Sequence, residues 1–243
     1  MRKIAVVLVL SLTAASSWQA VAQDSKDEKP ADGWSGEGEL GYVNTTGNTE
    51  TQHLNAKLGL KKEVARWLHE VRFEAGNQKD GSATTAERYY AAAKSDYAFT
   101  ERDYGYAGAD YEDDRFSGYD YRTNVGLGYG RRVVNTETLK LNLEIGPGYR
   151  WSELDNGDEQ NEATLRLAGN LGWTISDNAS FTQELSAIIG DENTASRSFT
   201  ALTTKINGNF ALRLSYLLTH NSDPPPDTKN TDTETAVTLV YGF

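Results

Sequence analysis

From Trp34 to the final residue, Phe243, the chain runs as about twelve stretches of ten to fourteen residues in which apolar and polar side chains alternate. A period of two is the pattern of a β-strand with one apolar and one polar face. The connections between the stretches are alternately short and long. An even number of strands with tight turns at one end and longer loops at the other predicts an all-β fold, a single closed antiparallel transmembrane β-barrel of about twelve strands. The strands fall near 34–43, 51–63, 67–77, 87–99, 104–113, 120–132, 138–151, 162–174, 180–190, 197–207, 209–221 and 231–243. The tight connections are 64–66, 100–103, 133–137, 175–179 and Gly208, and the longer ones are 44–50, 78–86, 114–119, 152–161, 191–197 and the proline-rich 221–230. Both termini then lie on the short-turn side, which in outer-membrane barrels is the periplasm.

The ends of the chain point the same way. Residues 1–22 read as a signal peptide: Arg2 and Lys3 form a charged start, Ile4 to Leu12 an apolar segment, and Ala20-Val21-Ala22 a small-residue cleavage site. Residues 23–33, charged and without apolar periodicity, read as a disordered periplasmic leader, which leaves 34–243 for the barrel. The last strand presents Val237, Leu239, Tyr241 and Phe243 on one face, and Tyr241 and Phe243 form an aromatic ending suited to an assembly signal.

No apolar run of 18 residues follows residue 22, so helical spans are excluded, while a barrel needs only every second residue apolar. Without residues 1–22 the chain carries 22 basic and 35 acidic residues, a net charge of −13 that argues against nucleic acid as a partner. The chain has no cysteine, so a closed hydrogen-bonded sheet rather than disulfides must hold it together.

Aromatic residues gather at the strand ends, as the two interfacial girdles of a membrane barrel require. Trp34, Trp67, Phe99, Tyr104, Trp173, Phe181 and Phe210 fall at short-turn ends; Tyr42, Tyr89, Tyr111, Tyr121, Tyr149, Trp151 and Phe199 fall near long-loop ends. The lipid face reads Leu54, Ala56, Leu58, Leu60; Leu139, Leu141, Leu143, Ile145; and Leu212, Leu214, Tyr216, Leu218. The opposite face supplies a lumen charge network. Its members are Glu37, Glu39, Lys57, Glu70, Arg72, Lys94, Asp96, Arg122, Arg132, Lys140, Glu144, Arg150, Arg166, Glu184, Lys205 and Arg213, joined by Lys61, Glu74, Asp110, Glu112 and Glu234.

Three classes of function follow. A barrel of about twelve strands lies between those filled by their own side chains and those holding an aqueous channel. The lumen is thus either a narrow pore for small polar solutes or ions, or a closed structural or adhesive barrel locked by ion pairs. An outer-membrane lipase or protease would need a serine, a histidine and an acid within reach of one another. The three histidines, His53, His69 and His220, come with no such serine motif, so no catalytic residues are assigned. The acidic loops, including Asp155 to Glu159, lack the spacing of a full calcium loop, and no metal or cofactor is expected.

Trp34, then Leu40-Gly41-Tyr42, then Asn44-Thr45-Thr46-Gly47-Asn48-Thr49-Glu50-Thr51 resemble the opening strand and first loop of the salt-induced outer membrane proteins of Gram-negative bacteria, a family also called domain of unknown function 481. Similar glycine-tyrosine segments recur at Gly126 to Gly130 and Gly146 to Arg150. The resemblance implies an outer-membrane barrel linked to salt or osmotic stress and supplies no catalytic residues, so a non-enzymatic, porin-like protein is expected. The signal segment implies export through the general secretory pathway, the terminal Tyr241 and Phe243 imply an encounter with periplasmic chaperones and the barrel assembly machinery during biogenesis, and the lipid face and loops imply outer-membrane lipid and lipopolysaccharide as partners.

Overall fold

The computed structural model describes residues 33–45, 51–80, 82–225 and 228–243. The signal-peptide segment and all of the leader except Gly33 lie outside the described residues. Twelve strands follow in order: β1 (Trp34–Thr45), β2 (Thr51–Val64), β3 (Trp67–Asp80), β4 (Ala83–Ala98), β5 (Asp103–Asp114), β6 (Tyr119–Asn135), β7 (Leu139–Leu154), β8 (Glu159–Ser176), β9 (Ala179–Ile189), β10 (Thr194–Asn207), β11 (Phe210–Asn221) and β12 (Thr231–Gly242). Each pairs antiparallel with its neighbours in the chain, and β12 returns to β1 to close the barrel. Closure gives the strand edges partners, as a membrane-spanning sheet requires.

The polar and apolar faces are inverted relative to a water-soluble protein. Leu40, Phe73, Leu127, Leu143, Ile145, Leu212 and Leu214 are exposed on the outer wall, whereas Glu39, Glu144, Arg150 and Arg213 are buried inside it. Among the described residues no helix is long and apolar enough to cross a membrane; this barrel crosses with strands. Alternation is strict enough that register brings inward residues of opposite charge together. Glu39 faces Lys57 and Lys57 faces Glu74; Lys61 faces Glu70, which faces Lys94.

The strands run further than the apolar pattern indicates. The loop expected at 78–86 is largely paired: Gln78 opposes Ala86 and Asp80 opposes Ala83. Glu153 likewise opposes Glu159 where a loop was expected at 152–161. The strict alternation of short and long connections therefore fails at β3–β4, because backbone N–H and C=O groups keep pairing beyond the lipid, whatever the side chains. The segment between β11 and β12 remains a long loop.

Trp34, Trp67, Phe99, Trp173 and Phe210 are exposed on the outer wall at the short-turn end, and Phe181, opposite Trp173, points the same way. Tyr241 and Phe243 join them, with the Tyr241 ring 5.1 Å from that of Phe210. Tyr89, Tyr149 and Trp151 are exposed near the other end, where Tyr111 and Tyr121 stack at 6.3 Å. The side chain of Tyr42 lies outside the described residues.

Two aromatic assignments need correction. Tyr104 is only 3% exposed and points into the lumen, and Phe199 is fully buried there. Glycine makes the first arrangement possible. A Cβ on Gly130 would run into the Tyr104 ring, and one on Gly128 would stand 2.7 Å from the ring of Tyr106, which also points inward. The bare backbone of β6 is the floor on which both rings lie.

Candidate functional site

The lumen is where the elements bring chemistry together, and most of its paired charges fall into four groups, with Lys61–Glu70 and Arg197–Glu184 as separate pairs. On the long-loop side a chain of ion pairs crosses four strands. Arg88 donates to Glu74 at 2.8 Å and to Glu112 at 2.6 Å; Arg122 reaches the other oxygen of Glu112 at 2.8 Å, and Arg72 lies 3.6 Å from Glu74. The ring of Tyr90 lies beneath both Arg72, at 5.5 Å, and Arg88, at 5.2 Å.

Nearer the short-turn end Glu144 is the hub. It accepts from Lys94 at 2.5 Å, from Arg166 at 2.6 Å and from the Tyr104 hydroxyl at 2.9 Å, while Lys94 also pairs with Asp96 at 3.2 Å. The third group joins the closing strands: Arg213 donates to Glu39 and, at 3.2 Å, to Glu37, and its Nε bonds the Thr203 hydroxyl. In the fourth, Arg150 pairs with Glu162 at 3.0 Å and donates to Asn124 at 3.2 Å.

These groups are not confined to one side of the wall. Arg197 on β10 lies 3.8 Å from Glu184 on β9, and both are within electrostatic reach of Arg72 on β3. Strands β3 and β10 are five places apart around the ring of twelve, so charges from nearly opposite walls act on one another across the lumen.

At the long-loop mouth two connections reach inward. Asn193, between β9 and β10, is 3% exposed. Its carbonyl accepts from Arg150 at 3.2 Å, its side-chain oxygen accepts from Ser222 and from the Asp223 N–H, and its amide donates to Asn221. Pro225 is buried against Gly118 on the far side of the ring. A Cβ on Gly118 would stand 2.6 Å from that of Pro225, and its φ of +80° is itself a conformation suited to glycine.

All the charges expected in the lumen lie at inward positions of their strands, with different surroundings. Lys140 is exposed at the short-turn rim; Lys205 is on the same rim, opposite Ala211. Arg132 donates to the carbonyl of Glu101 and lies over the Tyr104 ring. Arg88, Glu162, Arg197, Tyr90 and Tyr106 were not anticipated. Arg88, Glu162 and Arg197 stand at or just inside the expected starts of their strands and read as rim positions, although each shares the parity of charged residues further along.

The histidines do not converge. His53 bonds Asn55 at 3.1 Å; His69 bonds Ser95 at 2.9 Å and stacks on Trp67; and His220 bonds Thr231 at 2.8 Å. Among the described residues no group of three or more acidic or histidine side chains is arranged to hold a metal ion. In the Asp155 to Glu159 turn, Asp158 is engaged locally by Asn156 at 2.8 Å.

Comparison with known proteins agrees with this architecture. Residues 38–243 match the family described as "Protein of unknown function, DUF481". The "Uncharacterized protein YdiY" of Escherichia coli (strain K12) is 30% identical over 204 residues, which span 84% of this chain and 81% of that protein. Among solved structures, the COG4313 outer membrane channel from Pseudomonas putida F1 superposes with a TM-score of 0.54 at 12% identity, covering 90% of this chain and 99% of that one. The NanC porin superposes with a TM-score of 0.53 at 10% identity, covering 85% and 98%. At such identities the likeness is one of fold.

Proposed function

We propose that the chain, which belongs to the DUF481 family, is a narrow passive channel of the outer membrane, closed at low ionic strength by charges that bridge its lumen and loosened as salt rises. The observation that carries this reading is the ion-paired chain Arg72–Glu74–Arg88–Glu112–Arg122, together with the cross-lumen attraction of Arg197 to Glu74 and of Arg72 to Glu184.

Screening gives the proposal a physical basis. The Debye length falls from about 8 Å at physiological ionic strength to about 3 Å at 1 M, and half-exposed pairs feel this far more than buried ones. The cations of all these groups are similarly exposed, but the carboxylates are not: the Glu112 and Glu184 side chains are 19% and 16% exposed, that of Glu144 only 1%. Salt therefore acts on the Arg88 and Arg197 pairs first and leaves the Glu144 hub in place. The solutes would be ions or small polar molecules, and the physiological setting salt or osmotic stress. The reading assigns no catalysis.

The test is single-channel conductance of the refolded protein in a planar bilayer, from about 0.1 M to about 1 M salt. The expected outcome is discrete steps whose size or frequency rises more steeply than bulk conductivity. Conductance that merely follows the bulk would sink the salt-gated pore. The inward reach of Asn193 and Pro225 at the mouth favours one other reading, a closed structural or adhesive barrel, which expects silence at every salt concentration.

A further inference from the structure

Among the described residues seven buried side-chain polar atoms have no hydrogen-bond partner, and four of them lie on the three strands at the closing seam. They are Glu39 Oε2 on β1, Lys57 Nζ on β2, and Glu234 Oε1 and Thr238 Oγ1 on β12. Asp96, by contrast, owns one of the other three atoms and is ion-paired with Lys94. Glu39 and Lys57 are direct partners across β1 and β2; Val240 faces Glu39 across the seam, and Thr238 is the next inward residue along β12. The Lys57 ammonium is within electrostatic reach of Glu39, Glu74 and Glu234 yet hydrogen-bonds to none of them. Glu39 engages Arg213 through one oxygen and leaves the other free.

A buried ammonium with no hydrogen bond, within electrostatic reach of buried carboxylate oxygens that also have none, is a costly arrangement in a protein interior. The neighbouring ion-pair groups show that this lumen pairs its charges where register allows. What would satisfy the seam follows from its signs. An anion alone would suit Lys57 but be repelled by Glu39, Glu74 and Glu234; a cation alone would be repelled by Lys57 and Arg213. A primary ammonium has three N–H donors, and the seam holds three acceptors without a partner in Glu39, Glu234 and Thr238, closed off from solvent and reachable in the space that Lys57 vacates when it swings aside. A carboxylate on the same molecule would take the Lys57 ammonium, whose four-carbon stem lets it swing to meet it.

We propose that Glu39, Lys57 and Glu234 form a lumen binding site for a small zwitterion bearing a primary ammonium and a carboxylate, the chemistry of a free α-amino acid. The site deepens the channel reading by naming a solute class, but it is tested by equilibrium binding, without conduction. The probe is radiolabelled glycine, dialysed against the refolded barrel in detergent micelles, with acetate, methylammonium and N,N,N-trimethylglycine as competitors.

Saturable binding is expected, with each competitor at least about tenfold weaker than glycine because each lacks part of the donor and acceptor set. Lys57→Met and Glu234→Gln should each weaken binding at least about tenfold. Lys57→Met removes a buried charge and Glu234→Gln preserves shape; heat-dependent gel mobility verifies that each variant is folded. Absence of saturable binding, binding undiminished in either folded variant, or equal competition by trimethylglycine overturns the proposal. A barrel that conducts but does not bind glycine leaves the channel reading intact and removes this one; a silent barrel that binds glycine does the reverse.

Discussion

Glu144 holds two cations and a phenol with a carboxylate whose side chain is 1% exposed. Removing one partner from a buried cluster leaves the others uncompensated, and Glu144→Ala should cost about 3–5 kcal/mol. Arg131 and Asp103 also pair, at 3.0 Å, but their side chains are 52% and 26% exposed, and Arg131→Ala should leave stability nearly unchanged. Urea unfolding of both variants in lipid vesicles would check the contrast; similar losses would mean that burial does not set these energies. The same hub depends on Gly130, where a methyl group meets the Tyr104 ring. Gly130→Ala should cost about 1–3 kcal/mol. Combining it with Tyr104→Ala should give a coupling of at least about 0.5 kcal/mol in a double-mutant cycle, since the clash disappears with the ring. The inward position of Tyr104 was legible: it has the parity of Asp110 and Glu112, both assigned to the lumen. Its aromatic identity at a strand end pointed to a girdle instead, and only Gly130 across the pair explains why its ring fits inside.

At the scale of elements, β11 shows how directly alternation is read. Phe210, Leu212, Leu214 and Tyr216 are exposed outside, while Ala211, Arg213 and Ser215 are buried inside. Leu214→Lys, in the middle of the apolar wall, should destabilise the barrel by about 2–4 kcal/mol, whereas the same change near either interface costs about 0–1 kcal/mol. Refolding titrations of Leu214→Lys and Leu218→Lys would measure that depth dependence. Strand ends were less legible. The apolar pattern stops where the lipid stops, but pairing continues through polar residues, so Arg88, Glu162 and Arg197 belong to the lumen rather than to rims. Pro147 in the middle of β7 is a related case. The β6–β7 ladder shows no pairing between Gly126–Gly148 and Tyr129–Ile145, while Pro147 still pairs with Leu165 on β8. Its missing N–H therefore lies on the β6 side. The outer wall has a 650 Å³ apolar groove there, lined by residues that include Ala107, Leu127 and Pro147.

For the whole molecule, the quantity that matters is how strongly charges from opposite walls act on one another across the lumen. Glu112→Gln would weaken the attachment of both Arg88 and Arg122 without changing the shape of the belt. Under the channel reading this variant should open at lower salt than the natural protein, by a shift visible in the same bilayer recordings. An unchanged threshold would remove the Arg88–Glu112–Arg122 segment from any gating role. The closing seam is the sparsest part of the barrel: β1 and β12 share four facing pairs, Glu37 to Leu40 with Gly242 to Leu239, extended by the mutual backbone bonds of Gly36 and Phe243. The free polar atoms of Glu39, Lys57, Glu234 and Thr238 gather on these strands and their neighbour.

The sequence alone determined the barrel, its strand number and its two faces, because alternation with a period of two acts locally and every inward residue keeps its parity along a strand. Tertiary structure decided which of those charges meet. Whether Glu74 pairs with Arg88, whether Arg197 acts on Glu74 across the lumen, and whether Lys57 remains without a partner depend on register between strands and on the width of the closed ring. Both are settled only when twelve strands pair at once, and neither is written in the spacing of any one of them.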